Sequence, residues 1–167
     1  MPRTAIDVRE VLADVSEEMG RLAETTGIRI TLALGERPAI ISGNREALRR
    51  LFIVLLDNAL KYSRAGGEVI LTLARSGAQV SASMEDFGEG ISETDLPHIF
   101  KRFYQADRSR SRGGHGLGLS LAQSIARAHG MEIDVLSTRG KGTTFRMIFP
   151  ERDARAWSVN AETLAGS

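Results

Sequence analysis

A chain of 167 residues, 42% hydrophobic and 26% charged, can hold one full core or two small ones, and its composition rules out a disordered or fibrous protein. Its 22 basic and 21 acidic residues leave a formal charge of +1, which argues against nucleic-acid binding by broad charge attraction, and the lack of cysteine excludes disulfides, thiolate metal sites and cysteine nucleophiles. No apolar run approaches the roughly 20 residues of a membrane span, and the scattered His98, His115 and His129 argue against a histidine metal site.

Residues up to Asp7 read as a short lead-in. Asp7 then suits an N-cap, with Glu10 three residues on as in a capping box and Ile6 and Val11 placed to staple across it. Val11, Leu12, Val15, Met19 and Leu22 follow at helical spacing, and Gly27 can close that helix in a left-handed turn. Ile28, Ile30, Leu32 and Leu34 alternate as a strand; after a turn at residues 35–38, residues 39–42 suit a short one. Asn44 or Gly43 caps a second helix, whose stripe is Leu48, Leu51, Phe52, Leu55 and Ala59. Val69, Leu71 and Leu73 alternate, and a turn around Gly77 returns the chain along residues 79–86 as a hairpin. From Phe87 to Gly118 the periodicity fades; nine of the 17 glycines fall between Gly88 and Gly142. A third helix is expected from about Leu117 to His129, with Leu121, Ile125 and Ala128 on one side and His129 placed where its charge suits the helix dipole. Residues 131–135 and 143–149 then alternate about a tight turn at 139–142, and residues 151–167 read as a tail. The order predicts an α/β (α+β) two-layer sandwich, one mixed sheet with its helices on one face, occupying residues 5–150.

Four constellations carry possible chemistry. Asp86 shares the strand face of Val80, Ala82 and Met84, so period two turns a carboxylate inward at the end of an apolar row. Gly88 and Gly90 follow at once and let a ligand come close; Asp86 either accepts a hydrogen bond from a buried ligand amine or caps the next turn. Asn58 borders the core-facing stripe of the second helix, with Lys61 and Tyr62 at i+3 and i+4. A neutral oxygen beside a lysine suits a cation and phosphates, though the plainer reading is a solvated helix edge. Gly113-Gly114-His115-Gly116-Leu117-Gly118-Leu119 runs into a helix, and freed backbone amides at a helix N-terminus attract anions. It matches neither the Walker nor the dinucleotide pattern. The basic stretch from Lys101 to Arg112 is a lid over phosphates, a solvated loop or a site for an acidic partner. His98 supports the short segment before it.

Together and in this order the motifs resemble the ATP-binding catalytic domain of bacterial sensor histidine kinases, within the wider Bergerat-fold ATPases. Residues 55–63 (Leu-Leu-Asp-Asn-Ala-Leu-Lys-Tyr-Ser) are similar to that family's asparagine box, 86–91 (Asp-Phe-Gly-Glu-Gly-Ile) to its first glycine box and 96–104 to its phenylalanine box. Residues 114–120 are similar to the second glycine box and 140–145 to the last. The resemblance implies ATP and Mg2+ as cofactors. It puts the metal on Asn58 and the phosphates on Lys61, with these two as the catalytic pair. Tyr62 would line the nucleotide site and Asp86 would bond the adenine amino group. Gly88 and Gly90 would admit the base, Gly114, Gly116 and Gly118 would wrap the triphosphate, and Thr143 would make a secondary contact near the adenine. The same motifs put Ile91, Phe103, His115, Leu117 and Leu119 around the nucleotide.

Three departures stand out. Val54 occupies a position one turn before Asn58 where such kinases usually carry Asn and hydrolysing relatives a Glu base; a Val cannot activate water, so autonomous hydrolysis should be poor. His115 replaces a commoner small hydroxyl residue. No phosphoacceptor hairpin fits before Asp7, so the chain looks like the catalytic module alone. The expected partners are therefore ATP/ADP, a phosphoacceptor helical hairpin in the same protein or in trans, and a response regulator, with no nucleic acid. The expected location is cytoplasmic, alone or as part of a membrane-anchored sensor. An anti-sigma-factor-type serine kinase and a degenerate nucleotide-sensing or docking module are the alternatives.

Overall fold

The computed structural model describes residues 2–104 and 118–150. The elements are β1 (Thr4–Asp7), α1 (Val8–Thr26), β2 (Arg29–Ala33), β3 (Ile40–Gly43), α2 (Arg45–Tyr62), β4 (Glu68–Ser76), β5 (Gln79–Asp86), a 3-10 turn at Leu96–His98, α3 (Gly118–Ala128), β6 (Glu132–Thr138) and β7 (Gly142–Ile148). A five-stranded sheet has the order β2-β4-β5-β7-β6. Only β2 and β4 are parallel; the other neighbours are antiparallel. Helices over a mixed sheet are the expected sandwich. The expected tail at 151–167 lies outside the described residues.

The lead-in before Asp7 is instead a strand. Thr4–Asp7 pairs antiparallel with Ile40–Gly43 as a separate two-stranded sheet. Four residues with one large apolar side chain, Ile6, are too few to display an alternation. Asp7 does cap α1: its Oδ1 accepts from Arg9 N at 3.1 Å and also from Ala39 N at 2.9 Å, which ties the helix start to the residue before β3. Glu10 does not close the capping box but lies 3.6 Å from Arg45 of α2, which also meets Asp14 at 2.8 Å. Gly27 closes α1 with φ +72°, as the spacing predicts.

The core lies between sheet and helices. Val11, Leu12 and Val15 of α1, Leu48, Leu51, Phe52 and Leu55 of α2, and Val69, Leu71, Met84, Phe145 and Met147 of the sheet are all buried. The predicted face of α3 is displaced. Ala122, Ile125 and Ala126 are buried, whereas Leu121 is exposed. Alanines at i and i+4 let α3 approach α2 closely, and that gain outweighs burying one leucine. Leu32 is exposed because β2 is an edge strand.

His129 is also unlike its expectation. It is buried; Nδ1 donates to Ile125 O at 2.8 Å and Nε2 accepts from Asn44 N at 3.0 Å. The ring therefore holds one proton and is neutral. It caps the start of α2 and does not offer charge to the end of α3. Asn44 itself accepts from Ala47 N and donates to Pro2 O, so one residue joins the segment before β1, the start of α2 and the residue after α3.

Candidate functional site

The site forms where β5 ends and β7 begins, beside the C-terminal half of α2. Alternation carries Asp86 inward, and the structure leaves it 4% exposed. Its Oδ1 accepts from Gly88 N at 3.0 Å and from Thr143 N at 3.3 Å. Among the described residues, no hydrogen bond reaches Oδ2. Burial pushes the carboxyl above its ordinary range, opposed in part by the two amides. The bond from Gly88 N is the turn-capping bond that the sequence held open as an alternative, and it leaves Oδ2 able to accept from a further donor.

Glycines make room around it because three backbone segments touch. A Cβ on Gly88 would lie 1.9 Å from Tyr62 O. On Gly90, which has φ +74°, it would lie 2.3 Å from Thr138 O. Gly142, with φ +127°, would meet Asp86 O at 2.1 Å. The end of α2, the loop after β5 and the β6–β7 turn thus close around Asp86 with main chain alone. Gly140 N donates to Glu89 O at 2.7 Å and strengthens the closure.

On α2, Asn58 is half-buried, and among the described residues its carboxamide makes no hydrogen bond. Lys61 pairs with Asp57 at 3.0 Å and is largely solvent-facing, so its ammonium stays close to the helix surface. Tyr62 contributes the carbonyl against which Gly88 packs. Val54 sits one turn earlier; a Cβ on Gly118 would be 3.4 Å from its Cγ1, which puts Val54 at the first residue of α3. No carboxylate stands at that position to act as a base. Leu119 is half-buried and packs on the core. Gly114, His115, Gly116 and Leu117 lie outside the described residues.

After Ile91 the chain runs on toward the basic stretch that begins at Lys101. Ser92 Oγ donates to Asp95 Oδ2 at 2.8 Å, and Tyr104 OH donates to Asp95 Oδ1. The Tyr104 and Ser92 hydroxyls hold the Asp95 carboxyl below its usual range. His98 faces Tyr104 with ring centroids 5.4 Å apart, and its Nδ1 lies 2.7 Å from Lys101 Nζ, a supporting role for this segment. Phe100 packs edge-on against Phe145 at 6.4 Å and anchors the segment to the core. Phe103 is 68% exposed at φ +64°, an uncommon conformation for a bulky residue.

Ser137 was not legible as a site residue. Its hydroxyl accepts from Ile91 N at 2.7 Å, donates to Gly142 O at 3.0 Å and lies 2.8 Å from Thr143 Oγ1. Register alone would have revealed it: Asp86, Thr143 and Ser137 are directly opposite on β5, β7 and β6. Among the described residues no cluster of three or more His, Cys, Asp or Glu could hold a metal ion. Mg2+ usually takes one or two protein oxygens and fills its shell with water and phosphates, so the free Asn58 oxygen fits it as a single ligand.

Residues 43–153 match the family model described as histidine kinase-, DNA gyrase B- and HSP90-like ATPase. The chain is 40% identical over 126 residues to sensor histidine kinase YkoH of Bacillus subtilis, covering 74% of this chain and 27% of that protein. It is 37% identical over 145 residues to sensor histidine kinase RppB of Synechocystis, covering 86% of this chain and 32% of that protein. The chain thus spans about a third or less of the length of these curated relatives. Among solved structures it is similar to the mycobacterial sensor histidine kinase MprB, with TM-score 0.77, 25% identity and coverage of 90% of this chain and 99% of that one. It is also similar to full-length ShkA in complex with AMPPNP, with TM-score 0.79, 28% identity and coverage of 90% of this chain and 31% of that one. With fold, site and matched segment in agreement, the chain belongs to the histidine kinase-, DNA gyrase B- and HSP90-like ATPase family.

Proposed function

We propose that this chain is the ATP-binding catalytic module of a two-component sensor histidine kinase. The carrying observation is the buried Asp86, whose Oδ1 is held by two amides while Oδ2 meets no donor among the described residues. Adenine suits that acceptor, since its exocyclic amine donates to Oδ2. Asn58 holds the metal of Mg-ATP, which supplies charge neutralisation on the phosphates, and Lys61 pairs with the phosphate oxygens. Phosphoryl transfer needs positioning and charge stabilisation more than covalent help from the protein, which suits a site without a nucleophile or a base. The solved structure of ShkA, a similar chain, is a complex with AMPPNP, which supports a nucleotide reading.

The acceptor of the γ-phosphate is a histidine on a helical hairpin of the same full-length protein or of a partner, and a response regulator receives it afterwards. The relatives named as sensor histidine kinases favour this acceptor over a serine of an anti-sigma-factor system. Among the described residues no helix is long and apolar enough to cross a membrane, which fits a module working on the cytoplasmic side. The test is transfer. Purified chain, γ-labelled ATP and Mg2+ are incubated with and without a phosphoacceptor hairpin from a related kinase. Acid-labile, base-stable label should appear on the hairpin histidine only when both are present. Label on a histidine of this chain alone, or no nucleotide binding by calorimetry, would overturn the proposal.

A further inference from the structure

The sheet places three polar side chains in one row. Asp86 pairs directly with Thr143, and Thr143 with Ser137. The row continues outward from apolar Val69 on β4, so its polar end is confined to the site. Asp86 and Thr143 are buried and Ser137 is half-buried. Asp86 and Thr143 follow from the glycine-box pattern, but the third member has no role in it.

A serine hydroxyl has one proton and two lone pairs. The Ile91 N–H takes one lone pair of Ser137 at 2.7 Å. Gly142 O, a pure acceptor at 3.0 Å, takes the proton. The remaining 2.8 Å contact then requires the Thr143 hydroxyl to donate to Ser137. With its proton used, Thr143 Oγ1 is left as an acceptor only. Beside it, Asp86 also presents only an acceptor, since its two amide partners both sit on Oδ1. The wall facing a ligand then offers acceptors and no side-chain proton.

We propose that Ser137 is a specificity-determining residue that, by fixing the direction of the Thr143 proton, makes the pocket select a 6-amino purine over a 6-oxo purine. This rests on the reading that Asp86 receives a purine base. A 6-amino group donates to such a wall. A 6-oxo group would bring a third acceptor to the place where the 6-amino group donates to Asp86 and Thr143, and its one edge proton, on N1, lies a position away from that place. Without the Ser137 hydroxyl, Thr143 Oγ1–H is free to turn and donate to an oxo oxygen. Ser137 touches no ligand in this scheme; it acts through Thr143 and through the Ile91 amide.

The experiment is titration calorimetry of the full chain with ADP and with inosine diphosphate. The set comprises the wild type, Ser137→Ala, Ser137→Thr and Asp86→Asn, each checked by thermal melting. The wild type should prefer ADP. Ser137→Ala should narrow that preference about tenfold, the size of one redirected hydrogen bond, with part of the change seen as tighter inosine diphosphate binding. Ser137→Thr keeps the hydroxyl and should keep the wild-type ratio. A loss that is equal for both nucleotides marks a structural role only and overturns the inference, as does an unchanged ratio. If the alanine variant does not fold, Ser137→Cys fills the same space with a poor acceptor and makes the same comparison. A wild type without preference, together with Asp86→Asn that binds ADP normally, removes the purine reading itself. A normal wild type and a disabled Asp86→Asn beside an unaltered Ser137→Ala removes the role of Ser137 alone.

Discussion

Gly88→Ala puts the backbone packing around Asp86 to a quantitative test. An added Cβ would stand 1.9 Å from Tyr62 O and 2.7 Å from Tyr62 C, whereas ordinary contact begins near 3.4 Å. The two backbones must therefore part by about 1.5 Å, and neither is a flexible side chain that can swing aside. Moving the end of α2 disturbs the turn that carries Lys61 and Tyr62. Moving the loop instead pulls Gly88 N from Asp86 Oδ1, now at 3.0 Å. Overpacking costs about 1–3 kcal/mol and a lost hydrogen bond to a charged group about 1.5–3 kcal/mol; one displacement causes both, so about 3 kcal/mol is a fair total. For a domain of this size the melting temperature should fall by about 6–12 °C. ADP affinity, read by calorimetry at a temperature where the variant is folded, should fall about a hundredfold. Gly20→Ala is the control, since its added Cβ on α1 would meet nothing within 4 Å. A Gly88→Ala chain that melts within about 2 °C of wild type and binds ADP within about threefold would refute the reasoning.

Other expectations concern the same molecule at other points. Burial raises the folded carboxyl of Asp86 above its ordinary 3.8, so its contribution to stability is fully present below 3.8 and is lost as pH rises through the raised value. Asp86→Asn keeps an oxygen for the two amides but removes that pH-dependent loss; at pH 7 it should melt no lower than wild type while losing ADP, and its advantage should shrink toward pH 4. Gly20→Ala, in the interior of α1 with open space around its Cβ, should add about 0.5–1 kcal/mol in denaturant unfolding. His129→Ala leaves the Asn44 N–H without its acceptor and opens a cavity at the junction of α2 and α3; a loss of about 2–4 kcal/mol is expected in the same assay.

Periodicity was enough to place most elements. The stripe Leu48, Leu51, Phe52, Leu55 located α2, and with it Asn58 and Lys61, because a long amphipathic helix repeats its signal many times. Alternation through Ala82 and Met84 placed Asp86 inward before any fold was known. Short or close-packed elements were less legible. β1 has too few residues to show a period, and α3 buries alanines where leucine had been the natural choice. Side-chain partners across the fold escaped for a different reason. Asn44 and His129 are 85 residues apart, as are many pairs that only topology brings together. Ser137 is an ordinary strand residue until the β6–β7 register sets it beside Thr143.

Main chain packs directly on main chain at residues 88, 90 and 142 around Asp86, and this has a pharmacological consequence. A compound bound against Asp86 would rest on a frame that mutation at these glycines cannot reshape without moving the backbone itself. Escape variants would have to arise farther out. Compounds meant to separate one such chain from its relatives should accordingly grow toward side chains that differ, with Val54 as the first handle.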